Sequence, residues 1–294
     1  MISRALSCIC RGLFFSAISL CAFAGDAVPT HGLWVWKNPP VVDAAHGAEK
    51  LRDFCQAQGI NEVYVSVSAL SGAAQQAQLA HLIGLMHRSN IRVEALLSSE
   101  NADEPGKHRE KLLEKVREVV QFNRTRAADR FDGIHLDIEP QQRPENKGAG
   151  NLRFLPGLVD AYRAVRALAE PAHLPVDADI QTKLLKGTLA ERRMLLSSLP
   201  KLTLMLYELS SPNDGKSVQQ KKERLRAESQ KDLDLAYADL RDPNLAKMSI
   251  GLRTPDYAKL LPQMLATLDQ ANRANPHYAG WARHSYNDHL KAGQ

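Results

Sequence analysis

The chain has 294 residues, 44% hydrophobic and 24% charged, with a formal net charge of +5. These ordinary globular values exclude a disordered chain, a collagen-like repeat and a coiled coil. Four Cys are too few for a disulfide scaffold, and basic residues mixed among acids along the whole chain do not suggest nucleic-acid binding.

In chain order, the first segment stands apart. Residues 1–24 carry Arg4 and Arg11, no acid, an apolar run from Leu13 to Cys21, and a small-x-small pattern at Ala22-Phe23-Ala24. That order of basic, apolar and small residues reads as a secretory signal cut after Ala24. The expected location is therefore secreted or periplasmic. The apolar run is too short to span a bilayer comfortably, so no stable membrane insertion is expected after cleavage. Removing 24 of 294 residues leaves 270, and Cys8, Cys10 and Cys21 leave with the signal. Only Cys55 would remain, so no intramolecular disulfide is expected. The net charge falls to about +3 with the two lost arginines.

Strand-like runs then recur at 32–37, 62–68, 91–98, 133–139, 176–181, 202–207, 248–253 and 278–285. Helix-period segments lie between them at 47–58, 74–89, 107–126, 154–169, 188–196, 217–240 and 255–275. Eight alternating units predict an α/β fold, a (β/α)8 TIM barrel filling residues 25–294 as a single domain. The alternative, an open doubly wound sheet, lacks a Gly-rich phosphate loop.

Strand parity says which side chains look inward. The fourth strand puts Ile134, Leu136 and Ile138 on one face and His135, Asp137 and Glu139 on the other. The fifth sets Asp177, Asp179 and Gln181 inward, the sixth Thr203, Met205 and Tyr207, the seventh Ser249, Gly251 and Arg253. The first sets Trp34 and Trp36 inward and the second Tyr64, Ser66 and Ser68. A structural barrel core favours branched aliphatics. Buried carboxylates are costly unless paired or functional, so this polar interior reads as a site.

The strongest signal is Phe131-Asp132-Gly133-Ile134-His135-Leu136-Asp137-Ile138-Glu139-Pro140. Two carboxylates on one strand face, with backbone positions about 6.7 Å apart, titrate together, and one pKa rises. A raised Glu139 at the C-terminal strand end stands where barrels place catalysis. It could stay protonated and protonate a leaving oxygen.

These residues resemble the fourth-strand motif of family 18 glycoside hydrolases, the chitinase-like barrels, which reads Asp-Gly-x-Asp-x-Asp-x-Glu. Asp132, Gly133, Asp137 and Glu139 match, and His135 replaces the first core Asp. Met205-Leu206-Tyr207-Glu208 resembles the family's sixth-strand Met-x-Tyr-Asp. His284, near Gly280-Trp281, stands about where an eighth-strand Trp is expected. The resemblance implies a substrate-assisted retaining mechanism. Glu139 would be the acid and base, the substrate's 2-acetamido oxygen the nucleophile, Asp137 its orienting carboxylate, and Tyr207 a hydrogen-bonding partner of the same group. A glycan substrate is implied, and no metal or organic cofactor. Trp36, His135, Gln181, Glu208, Arg253 and Trp281 are the candidate substrate-binding residues. His135, if cationic, would lower the pKa of Asp137 and hold it ionised. Two other readings stand beside this one. One is a catalytically silent barrel that binds a glycan or protein. The other is a metal-dependent hydrolase using His135, Asp137 and Glu139 as ligands.

Overall fold

The computed structural model describes residues 28–36, 39–42, 45–67, 70, 72–126, 128–147, 152–207, 209, 211 and 213–291. The expected signal, together with Ser68 and Glu208, lies outside the described residues. Eight parallel strands close into a barrel in sequence order: β1 (Thr30–Val35), β2 (Glu62–Ser66), β3 (Arg92–Ser98), β4 (Gly133–Asp137), β5 (Val176–Gln181), β6 (Lys201–Met205), β7 (Lys247–Arg253) and β8 (Tyr278–His284). β8 pairs with β1 through Thr30↔Gly280 and its successors, which completes the circle. The helices are α1 (Pro39–Val42), α2 (Gly47–Ala57), α3 (Ala73–His87), α4 (Lys107–Arg124), α5 (Leu155–Ala169), α6 (Leu189–Leu196), α7 (Val218–Tyr237), α8 (Thr254–Tyr257), α9 (Leu261–Asn272) and α10 (Tyr286–Lys291). This is the (β/α)8 barrel that the alternating pattern predicts.

Local chemistry sets the helix limits. Thr188 and Glu191 form a reciprocal cap at the start of α6, and Ser217 and Gln220 do the same for α7, satisfying backbone N–H groups that have no partner within the helix. The expected single helix at 255–275 is instead two. Ala258 has a φ of 46° between α8 and α9, and Pro262 is the second residue of α9, in the first turn, where its missing N–H is tolerated as it would not be inside a continuous helix.

The apolar residues divide by strand face. Outward side chains such as Leu33, Val63, Val93, Ile134, Leu136, Leu204 and Ile250 join helix residues in one large buried shell. Each such burial contributes about 1.5–3 kcal/mol. The apolar cluster inside the barrel is small: Trp34, Tyr64, Leu96 and Ala282, with Trp36 packed against it. Gly251 makes room for the largest of these. A Cβ there would sit 2.8 Å from the Trp34 ring. The remaining interior is polar and charged. Cys55 is buried on α2 as a free thiol. No helix among the described residues is long and apolar enough to cross a membrane.

Candidate active site

The site is built from the lateral pairing of β4 with β5. Their register sets His135 beside Asp177 and Leu136 beside Ala178. In a parallel sheet such neighbours point to the same side. The inward rows of the two strands therefore run side by side, from the N-terminal mouth to the C-terminal mouth.

The lowest layer is an ion network. Lys201 Nζ lies 2.6 Å from both Glu62 and Asp177. Arg92 contacts Glu62 at 3.2 Å and Glu94 at 3.3 Å, and Tyr64 donates to Glu62 at 2.8 Å. Burial disfavours charge on Asp177, but Lys201 and His135 outweigh it and hold the carboxyl well below the usual range. Burial raises Glu94 well above that range, and the charges of Asp177 and Glu62 push the same way. A cavity of about 590 Å³ opens beside this network, lined by Thr30, Arg92 and Lys201 among others. It faces the end of the barrel opposite to where barrel enzymes work.

His135 occupies the next layer and has no solvent exposure. Its Nδ1 meets Asp177 at 2.6 Å and its Nε2 lies 3.0 Å from Asp179. Its ring stacks on Tyr64 with centroids 3.8 Å apart. Burial opposes a charged imidazole, yet Asp179 and Asp177 outweigh it and hold the pKa well above the ordinary 6.5. This corrects two expectations. His135 is enclosed beneath the site, so it cannot touch substrate. Its partners are two carboxylates of β5 rather than Asp137.

Asp137 and Glu139 form the upper layer. Burial raises the Asp137 carboxyl well above its ordinary range. Asp179 and Glu139 add to the rise, and the His135 charge opposes it without prevailing. The expectation that His135 holds Asp137 ionised is therefore overturned. Asp137 Oδ1 is buried and has no hydrogen-bond partner among the described residues. Glu139 lies just past the end of β4. Its Oε2 accepts from Gln181 Nε2 at 2.6 Å and Gln141 Nε2 at 3.1 Å. Burial pushes its pKa up, the Gln181 hydrogen bond opposes that, and the Asp179 and Glu100 charges add to it.

Around this pair stand Tyr207, Trp36 and His284, each half-buried. The His284 ring lies 5.6 Å from Tyr207, 5.9 Å from Trp36 and 5.8 Å from Trp34. Burial raises the Tyr207 phenol well above its ordinary value, and the charges of Asp179, Asp137 and Glu139 do the same. The phenol is therefore neutral and able to donate. Arg253 lies 5.9 Å over the Tyr207 ring and pairs with Asp256 at 3.1 Å. The rim after β4 is fixed by Arg143, which contacts Asp103 at 2.7 Å, Glu104 at 2.9 Å and Glu145 at 3.3 Å.

The structure thus brings together Glu139, Asp137, Tyr207, Trp36, Gln181 and Arg253 from the predicted set. Trp281 is a correction. It alternates with the inward Gly280 and Ala282, so it points out of the barrel, where it stacks on His31 at 4.2 Å and donates to Asp269 at 3.1 Å. It packs the outer layer and does not face the site. The metal-dependent reading took His135, Asp137 and Glu139 as ligands, and these three do not converge among the described residues. Among the described residues, the carboxylate and His atoms that converge within 4.8 Å belong to Glu94, His135 and Asp177. Lys201 already sits on Asp177 at 2.6 Å. The residue that sequence reasoning passed over is Asp179. Parity had set it inward. Its contacts could not be read without the register between β4 and β5.

No family model and no curated protein matches this sequence. Solved structures do match, and they show the fold. The glycoside hydrolase domain of PgaB (BpsB) from Bordetella bronchiseptica aligns over 90% of this chain and 97% of its own, with a TM-score of 0.53 and 12% identity. A GH18 chitinase from Pseudoalteromonas aurantia aligns over 90% and 98%, with a TM-score of 0.52 and 12% identity. A GH5_18 protein from Streptomyces cattleya, solved with GlcNAc, aligns over 87% and 70%, with a TM-score of 0.57 and 13% identity. These likenesses show the fold, a (β/α)8 barrel that this chain shares with those proteins at low identity.

Proposed function

We propose that this protein is an exported glycosidase that cleaves a glycan bearing 2-acetamido sugars, with Glu139 as general acid and base and Asp137 as the assisting carboxylate. The observation that carries the reading is the Glu139–Asp137 pair at the C-terminal mouth. Glu139 is held by two glutamines, and both carboxyls are raised by burial. A raised acid can carry a proton close to neutral pH, where an ordinary glutamate cannot.

The reaction follows from those positions. The Glu139 carboxyl donates its proton to the glycosidic oxygen. The substrate's acetamido oxygen bonds to the anomeric carbon as the C–O bond to the leaving sugar breaks. Asp137, the carboxylate of the pair when Glu139 holds the proton, accepts from the acetamido N–H and stabilises the cyclic cation, and Tyr207 donates to the acetamido oxygen. Glu139, now a carboxylate, takes a proton from water as that water attacks the same carbon. Configuration is retained. Of two carboxyls that share one proton, only the state with the proton on Glu139 is productive, so activity should follow the coupled titration of the pair.

The test is a panel of N-acetylhexosamine oligomers incubated with purified protein, with products resolved by mass. Cleavage by the wild type and a loss of about 100-fold or more in Glu139→Gln support the reading. Undiminished cleavage by Glu139→Gln overturns it. Activity abolished by a chelator and restored by a divalent ion points to the metal-dependent alternative.

A further inference from the structure

Burial sets one cation apart from the rest. Among the described residues, the buried side chains able to carry positive charge are His135, Lys221 and Arg283. His135 lies between Asp177 and Asp179, and Lys221 meets Asp214 at 3.1 Å. Arg283 is 6% exposed and has no carboxylate partner among the described residues. Burial lowers its pKa, and no acid opposes that. A buried charge is costly unless it is paired.

Arg283 follows Trp281 on the outward row of β8. Its Nε donates to Thr254 Oγ1 at 3.3 Å and its Nη1 to Gln58 Oε1 at 3.2 Å. The guanidinium lies 5.0 Å over the Phe54 ring of α2. Both hydrogen bonds run to neutral oxygens, and Nη2 has no hydrogen-bond partner among the described residues. A cavity of about 250 Å³ lies against Arg283, between the end of α2 and α9. Ile60, Pro262, Leu265 and Ala266 form the apolar part of its wall. Asp269 also lines it but is already engaged. It accepts from Tyr278 at 2.8 Å and Trp281 at 3.1 Å, and it pairs with His31 at 3.3 Å. His289 of α10 adds no charge, since burial and then Arg283 itself lower its pKa. With His31 protonated, the wall carries the single positive charge of Arg283.

We infer that this crevice is a binding site for a small monocarboxylate with an apolar body, whose carboxylate pairs with Arg283. The guanidinium fork matches a carboxylate in geometry. One uncompensated charge suits a monoanion, and the apolar wall suits hydrocarbon rather than a fully hydrated ion. The volume falls below the roughly 300–1,000 Å³ of sites for drug-sized ligands, so the ligand is small. The crevice is on the outer face of β8, opposite to the inward His284, and the inference does not rest on the proposed glycosidase reading.

The experiment uses purified protein and hexanoate as the probe, with hexanamide, hexylamine and inorganic phosphate beside it. Binding is read by titration calorimetry and by the NMR resonance of the Arg283 Nε–H, assigned by its loss in Arg283→Met. Hexanoate is expected to bind saturably and to shift that resonance. It should bind about ten-fold or more tightly than hexanamide, as a charge-assisted hydrogen bond requires, and hexylamine should not bind. Arg283→Met keeps packing against Phe54 and removes the unpaired charge, so it should abolish the preference for hexanoate over hexanamide. Should that variant not fold, Ala266→Phe fills the cavity from α9, leaves Arg283 in place and should abolish hexanoate binding. Absence of saturable hexanoate binding overturns the inference. Equal binding of hexanamide makes the crevice merely apolar, and tighter binding of phosphate makes it a site for an inorganic anion; each overturns it. A preference for hexanoate that survives Arg283→Met places the carboxylate elsewhere and also overturns it.

Discussion

His135→Leu is the sharpest perturbation of the barrel interior. The wild-type imidazole is fully buried between Asp177 at 2.6 Å and Asp179 at 3.0 Å. Leucine fills similar space and removes the cation, leaving two buried carboxylates short of a partner. Breaking a buried pair in this way costs about 3–5 kcal/mol. For a domain of this size each kcal/mol is worth roughly 2–4 °C, so the melting temperature should fall by roughly 6–20 °C. The pH dependence gives the argument its sign. The folded pKa of His135 lies well above the ordinary 6.5. Its contribution is therefore fully present below about pH 6.5, where His is protonated in both states. Above that the unfolded chain loses the proton while the folded chain keeps it, and the wild-type advantage shrinks by up to about 1.4 kcal/mol per pH unit until the folded group titrates. Urea unfolding of wild type and variant at intervals from pH 6 to 9 reads both effects. A difference below about 1 kcal/mol at pH 6, or one that does not narrow as pH rises, would refute the account of His135 as a buried cation.

Two further outcomes follow from the positions of single side chains. Trp281→Ala should destabilise the fold by about 3–5 kcal/mol, because Trp281 is 5% exposed on the outer face of β8, and it should leave KM unchanged; a KM several-fold higher in a folded variant would return Trp281 to the site. Gln181→Leu removes the 2.6 Å hydrogen bond that favours ionised Glu139, so the alkaline limb of the pH profile should move up by about one unit, and an unmoved limb would show that Gln181 does not hold the acid.

Much of this was legible in the sequence because strand parity is a local property. The inward set Asp137, Glu139, Gln181, Tyr207 and Arg253 follows from period-2 alternation alone, and so does the fully matched strand Val176–Gln181. Parity also held the correction of Trp281, since it alternates with Gly280 and Ala282. What was not legible depends on neighbours. The partners of His135 lie 42 and 44 positions away, at Asp177 and Asp179. They are set by the register of β4 against β5, which nothing local in either strand encodes. The raised pKa of Asp137 follows the same rule. From one strand it appears beside a cation, and only the assembled barrel shows a second carboxylate facing it. The break at Ala258 was hidden for a different reason. Apolar periodicity continues across it from Tyr257 to Leu261, and the left-handed residue has no Gly to mark it.

The central claim is that Glu139 is the proton donor in glycoside cleavage. It is tested most directly by comparing wild type with Glu139→Gln on N-acetylhexosamine oligomers across pH, with both proteins shown to be folded by circular dichroism. The account predicts oligomer cleavage by the wild type with an alkaline limb above the ordinary glutamate range, and a loss of about 100-fold or more in the variant. Equal cleavage by the two proteins, or binding of the oligomers by the wild type with no cleavage at any pH, would contradict it.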